Sequence, residues 1–336
     1  MDELQSISLT NGPVQFAGAI SLDVNDDGVQ PWRIPADRLD LFHEGLRGSA
    51  GQPSGVRIAF VSNTRRIALQ LDHGGGSGQF PYDITVDGRF YQRCTAFGGA
   101  GVGFAGLPAE EKRIEIWLYQ GAHVRVKALH IDADATIKPF DDQRTRWLTY
   151  GSSITHCRRA NGPTETWPAM VANRFDLNLT SLGYGGHCCF DPLVAMMIRD
   201  MTPAPDIITM KLGINCVGGA YNDRTFREAV LGLLHIVREK HTDTPMVICS
   251  PIICPPHETA PNAVGMTLVM MRELVGEAVE RMIAHGDRHI RYVSGIELFG
   301  ESDVMHMPDQ VHPDSAGEYV MADRFADKVM AKLLAR

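Results

Sequence analysis

The sequence is short of several things that would each point to a function. It has no run of lysine and arginine and no basic stripe; Asp and Glu outnumber Lys and Arg by 40 to 32, giving a formal net charge of −8. Nucleic acid and anionic membrane surfaces are therefore not expected partners. No apolar run approaches the length needed to span a bilayer, and Met1-Asp2-Glu3-Leu4-Gln5 has neither the positive start nor the apolar stretch of a secretory leader. Seven cysteines, at 94, 157, 188, 189, 216, 249 and 254, are odd in number and mostly sit in apolar strand contexts. They fit reduced thiols better than a disulfide framework, and a cytoplasmic protein is expected. The groupings His156-Cys157 and His187-Cys188-Cys189 include no Cys-x-x-Cys or His-x-x-x-His, so a structural zinc site is not expected. Glycine-rich stretches at 73–78 and 98–103 lack the following helix and lysine of a phosphate-binding loop. They read as mobile loops between strands.

What is present is ample core material, 44% hydrophobic residues at a mean hydropathy of −0.11, in a chain of 336 residues that is long enough for two domains. Residues 1 to about 140 read as all-β. Segments 56–61, 67–71, 82–86, 90–93, 113–119 and 124–129 carry strand character, and Asp87-Gly88 marks a hairpin because that turn wants positive φ. A sandwich or jelly roll is expected. After the charged connector 141–146 the pattern changes. Strand candidates at 147–150, 178–182, 206–212, 245–250 and 290–294 alternate with helix candidates near 167–175, 191–200, 224–240, 263–285 and 314–335. Five β–α repeats imply a parallel three-layer α/β sheet over 147–336.

The chemistry-bearing residues fall at the ends of these strands. The first ends in Gly151-Ser152-Ser153, the second in Ser181-Leu182-Gly183-Tyr184-Gly185-Gly186, and the third in Lys211-Leu212-Gly213-Ile214-Asn215. Asp309-Gln310-Val311-His312-Pro313 follows the last. Ligands of open α/β sheets bind at the carboxyl ends of strands. A serine there needs a base, the base needs an orienter, and the developing oxyanion needs donors. Each short pattern also has a bland reading: Ser153 as a turn cap, Asp309 as the cap of the final helix, Asn215 as a loop cap.

Taken in order, these four blocks resemble the SGNH, or GDSL-type, hydrolase superfamily, with its flavodoxin-like sheet. The resemblance covers roughly the C-terminal 190 residues. It implies Ser153 as nucleophile, His312 as base and Asp309 as its orienter. It also implies an oxyanion hole from the Ser153 N–H, the Gly186 N–H and the Asn215 amide. Gly183 and Gly185 are the alternatives to Gly186 if the register slips. Ser152, Ser181 and Cys216 depart from the family's Asp, Asn and Asp at their positions. His156, His187 and Trp167 are candidates to line the pocket. The wider pattern, including Gly162-Pro163, Thr166-Trp167-Pro168 and Ser250-Pro251-Ile252, resembles a two-domain subgroup with an N-terminal β-sandwich, which contains carbohydrate-ester hydrolases and acyltransferases. The resemblance thus implies a serine-dependent esterase acting on short acyl groups of a sugar, polyol or natural-product alcohol, needing no metal or organic cofactor. Transfer to an alcohol is the alternative, and a catalytically inactive glycan-binding protein is a third reading. A homo-oligomer is compatible with the sequence but not readable from it.

Overall fold

The computed structural model describes residues 4–74, 78–98 and 100–335. Its first part holds two antiparallel sheets. One runs in the order Ser21–Asn25, Gly28–Trp32, Arg125–Asp132, Arg66–Asp72, Gly101–Ala105, with Leu4–Ile7 also paired to Arg125–Asp132. The other runs Ile137–Lys138, Arg57–Ser62, Lys112–Trp117, Gln79–Val86, Arg89–Phe97, with Gln15–Ala17 on Arg57–Ser62. Their inner faces meet in one apolar cluster that includes Ile58, Phe60, Leu69, Ile84, Ile114 and Val126. The expected hairpin is present: Asp87 and Gly88, at φ of 50° and 80°, join Gln79–Val86 to Arg89–Phe97.

Two readings of this part need correction. The stretch is not all-β, because a seven-residue helix spans Glu44–Ala50. Gly45 and Gly48 lower its intrinsic propensity, and burial compensates: Leu46 and Ala50 are fully enclosed in the core of the second part. A Cβ at Gly45 would lie 2.1 Å from the His187 ring, so a larger residue there would displace that side chain. The second glycine-rich stretch is not a loop throughout. Gly101, Val102 and Gly103 lie in a strand against Arg66–Asp72. Residues 75–77 and 99 of these two stretches lie outside the described residues.

The second part is a five-stranded parallel sheet ordered Asn178–Gly183, Arg146–Gly151, Ile207–Lys211, Met246–Cys249, Ile290–Val293, the 2-1-3-4-5 order of a flavodoxin-like fold. All five strands are parallel, with Gly151 opposite Gly183 and Tyr150 opposite Met210. Helices Trp167–Arg174, Pro192–Arg199, Asp223–Arg238, Leu268–Ala284 and Ser315–Phe325 cover it. The amphipathic stripe on Asp223–Arg238 faces inward as its spacing requires, with Phe226, Val230, Leu233, Leu234 and Val237 buried. Among the described residues no helix is long and apolar enough to cross a membrane.

The two parts are bound by buried polar contacts. Arg33, wholly enclosed, donates to the carbonyls of Gln52 and Ser49 on its own side and of Ser181 and Gly183 in the sheet strand across the boundary. Arg57 reaches the Leu179 carbonyl at 2.8 Å and the Asn178 side chain at 2.7 Å. The charged connector is equally tied down: Arg144 lies between Asp142 and the buried Glu115, at 2.6 and 2.8 Å.

Candidate active site

The Arg146–Gly151 strand ends in a sharp turn into a single helical turn, Ser153–His156. Ser152 is buried and caps that turn, its Oγ accepting from the Ile154 N–H at 3.2 Å. The two serines therefore divide their work. Ser152 holds the backbone, and Ser153 points its hydroxyl outward, with Oγ 2.8 Å from Nε2 of His312. The glycines around this turn are explained by space. A Cβ on Gly151 would meet Thr155 Oγ1 at 2.3 Å, and one on Gly183 would meet the His156 amide nitrogen at 2.4 Å.

His312 is held by a second turn. Asp309 Oδ1 accepts from the backbone N–H groups of Val311 and His312 at 3.0 and 2.8 Å, closing the turn with Gln310 at φ 62°. Its other oxygen, Oδ2, lies 2.8 Å from His312 Nδ1 and 2.8 Å from Arg159 Nη2. Burial alone would raise the Asp309 carboxyl, but these hydrogen bonds, His312's first, hold it well below the ordinary carboxylate range. A carboxylate accepts only, so Nδ1 carries the ring proton and Nε2 offers its lone pair to the Ser153 hydroxyl. The final helix has its own cap, Asp314, whose Oδ1 accepts from the Gly317 N–H at 2.8 Å.

Three residues with the donors that the resemblance implies share this pocket: Ser153 itself, Gly186 and Asn215. The Ser153 N–H opens the helical turn, where the first amides have no acceptor within the helix. Asn215 follows Gly213, at φ 117°, and its Oδ1 accepts from the Cys188 N–H at 2.9 Å. That bond takes up Oδ1, and Asn215 lines the same pocket as Ser153. Of the three glycines open from the sequence, Gly183 is a strand residue paired with Gly151. The Gly185 N–H donates to Ser49 Oγ at 2.7 Å. Gly186, at φ +80° with open space around its Cβ position, has an N–H that no acceptor among the described residues takes.

Ser153, Gly185, Gly186, Asn215 and His312 line one pocket of about 460 Å³. A larger hollow of about 820 Å³ takes in Arg146, Trp147 and Leu148, at the opposite end of the same strand, and has no nucleophile beside a base.

None of the three residues expected to line the pocket, His156, His187 and Trp167, does so. His156 is wholly buried; its Nε2–H donates to the Gln120 carbonyl at 2.7 Å, and Nδ1 accepts from Ser49 Oγ at 3.1 Å. Burial, with Arg33 and Arg158 nearby, holds it neutral, far below the usual histidine range. Trp167 is core, tilted against Phe325 with ring centres 4.6 Å apart, its indole N–H donating to the Ile154 carbonyl at 2.7 Å. His187 is half-buried against His43, ring centres 5.4 Å apart, and does not line the pocket. Ser181 presents a buried hydroxyl without a partner among the described residues, where the resemblance expects an asparagine, while its carbonyl is taken by Arg33. Residues that sequence reasoning passed over do line the pocket: Arg158, Arg159 and His257 at its wall and Glu318 at its floor. Only adjacency to the Gly151-Ser152-Ser153 block could have singled out the two arginines.

A 2-1-3-4-5 parallel sheet with these four blocks at its carboxyl edge is the architecture of an SGNH-type enzyme of ester and acyl chemistry. The chain belongs to the GDSL-like lipase/acylhydrolase family, whose model matches residues 145–331, and residues 14–125 match the model of the SsfX3 N-terminal domain. Among solved structures it is similar to the salicylyl-acyltransferase SsfX3 from a tetracycline biosynthetic pathway, with 28% identity and a TM-score of 0.90 over 98% of this chain and 97% of that one. A family two carbohydrate esterase from Clostridium thermocellum, in complex with cellohexaose, shares the fold at 16% identity and a TM-score of 0.67, covering 95% and 99% of the two chains. Another from Cellvibrio japonicus does so at 15% and 0.66, covering 98% of each chain. No curated protein matches the sequence.

Proposed function

We propose that the protein is a serine-dependent ester-cleaving enzyme that works through an acyl-enzyme on Ser153. The observation that carries this reading is the hydrogen-bonded line from Ser153 Oγ to His312 Nε2 and from His312 Nδ1 to Asp309 Oδ2, each link 2.8 Å, in a pocket that Gly186 and Asn215 also line. In this reading the Ser153 oxygen attacks the ester carbonyl while its proton passes to Nε2. Asp309 keeps the ring in the required tautomer and stabilises the imidazolium. The carbonyl oxygen becomes an oxyanion that accepts from the Ser153 N–H, the Gly186 N–H and Asn215 Nδ2. Collapse breaks the ester C–O bond, and the imidazolium returns its proton to the leaving alcohol. A water or an alcohol then attacks the acyl-enzyme by the same path in reverse, and Ser153 regains its proton. Every group in this sequence of steps is a side chain or backbone amide of the chain itself.

Hydrolysis of short acyl esters on a sugar, polyol or natural-product alcohol is the first form of this reading. A specific observation favours a second, transfer to an alcohol acceptor: the likeness to the salicylyl-acyltransferase runs through both parts of the chain, including the N-terminal 14–125 match. We assign residues 1–140 to a β-sandwich domain, 141–146 to the connector and 147–336 to the catalytic domain. All seven cysteines are free thiols, which supports a reducing, cytoplasmic setting. Acetyl- and butyryl-ester cleavage by wild type and Ser153→Ala tests the common chemistry; full activity in the variant ends the assignment. Mass analysis of products with and without added alcohols separates the two forms. Free acid as the main product marks a hydrolase, and a new ester at low acceptor concentration marks a transferase.

A further inference from the structure

In a chain of net charge −8 the wall of this pocket carries two arginines, Arg158 and Arg159. Two carboxyl groups lie near them: Asp309, which is paired with His312 and Arg159, and Glu318 in the lining. Burial pushes the Glu318 carboxyl up to about 7, so near neutral pH it supplies only part of a negative charge. The two arginines are not equivalent. Arg159 is committed to Asp309 at 2.8 Å. Arg158 is exposed, and among the described residues no carboxylate lies within ion-pair distance of it. Its guanidinium carbon lies 3.7 Å from where a Cβ of Gly185 would sit, against the loop that leads to Gly186. Its field is felt around the site: it opposes protonation of His156 and His187. An arginine's planar fork of donors matches carboxylate and phosphate oxygens.

From this we infer that the substrate carries an anionic oxygen group, a carboxylate or a phosphate, which Arg158 binds while the ester carbonyl lies over Ser153. The inference rests on the ester-cleaving reading and adds the substrate's charge to it. It also gives the doublet Arg158-Arg159 two separate tasks, one arginine holding Asp309 and the other holding substrate.

The test uses matched ester pairs and the full chain. The carboxylate arm compares the 4-nitrophenyl monoester of glutaric acid with its methyl ester. The phosphate arm compares acetylglycerol 3-phosphate with monoacetylglycerol. Wild type is expected to favour the anionic member of at least one pair in kcat/KM by about tenfold, the loss expected for one charge-assisted hydrogen bond. The preference should sit mainly in KM and weaken as salt is raised. Arg158→Gln should bring the ratio close to one, and Arg158→Lys should keep part of it. Preference in one arm alone identifies the ligand as carboxylate or phosphate. Equal kcat/KM within both pairs for wild type, or a preference that survives Arg158→Gln, overturns the inference while leaving the ester chemistry intact. If wild type cleaves no ester at all, that chemistry fails, and calorimetry on the Ser153→Ala protein still decides the site. Binding of glutarate or glycerol 3-phosphate that disappears when Arg158→Gln is added supports it, and binding of neither probe overturns it.

Discussion

In the proposed chemistry Asn215 works with a hydrogen bond on its far side. Its Oδ1 accepts from the Cys188 N–H, which leaves Nδ2 to donate to the charge that would develop on the substrate oxygen. Asn215→Ala is expected to lower kcat by about 10²–10³-fold with KM changed far less, as for the loss of one oxyanion donor; steady-state kinetics on an activated ester checks it. A raised KM with unchanged kcat would make Asn215 a ground-state contact only. Beneath the pocket, Glu318 accepts from the Trp167 N–H at 3.2 Å, close to Lys211, which burial pushes down to about 8. Glu318 has a folded pKa of about 7 against an ordinary 4.5, raised by burial. The folded state therefore holds its proton more tightly. Its stability contribution is full below about pH 4.5 and is lost as pH rises through about 7. Glu318→Gln, neutral at every pH, should match wild type in thermal unfolding at pH 5 and exceed it at pH 8 by on the order of 1–3 kcal/mol. A constant difference between the two pH values contradicts this.

The loop after the Asn178–Gly183 strand is positioned by an element from the other part of the chain. A directed relay runs from the Gly185 N–H to Ser49 Oγ at 2.7 Å, from the Ser49 hydroxyl to His156 Nδ1 at 3.1 Å, and from His156 Nε2–H to the Gln120 carbonyl at 2.7 Å. The Glu44–Ala50 helix thus sets the backbone one residue before Gly186. Ser49→Ala leaves a part-buried amide and a buried ring nitrogen without partners, costing about 1–3 kcal/mol in urea unfolding. It should also lower kcat about tenfold through misplacement of the Gly186 N–H. Loss of stability with unchanged kcat would show that the relay is only structural. This element marks where reading the sequence stops. Strands and helices of the second part announce themselves through apolar period and turn residues, and the Ser, Gly, Asn and Asp-x-x-His blocks stand at their ends. The Glu44–Ala50 helix is short, contains two glycines and is stabilised by burial against residues more than a hundred positions away. No local pattern encodes that. His156, three residues after Ser153, turns inward because one turn of helix faces opposite sides within two or three residues, and Trp167 is buried at the start of a separate helix.

Across the whole molecule, the boundary between the sandwich and the parallel sheet is a shared core rather than a loose joint. Ile34, Phe42, Leu46, Ala50 and Trp117 belong to the same apolar cluster as Trp147, Leu182 and Tyr184. Arg33 ties four backbone carbonyls from both sides, and its guanidinium stacks 5.3 Å from the Tyr184 ring centre. A 141–336 fragment would expose this surface and leave the Ser181 and Gly183 carbonyls without Arg33. It is expected to lose cooperative unfolding, and the full chain to unfold in a single transition; calorimetry on both distinguishes them. A fragment that melts sharply and cleaves esters like the full chain would show the N-terminal part to be an accessory. In the proposed chemistry one hydroxyl, that of Ser153, carries the acyl group. Peptide mapping by mass spectrometry after treatment with a fluorophosphonate tests it most directly. The phosphonyl group should appear on Ser153 of wild type and be absent from Ser153→Ala. Wild-type protein that cleaves esters yet takes up no label at Ser153 would contradict the account.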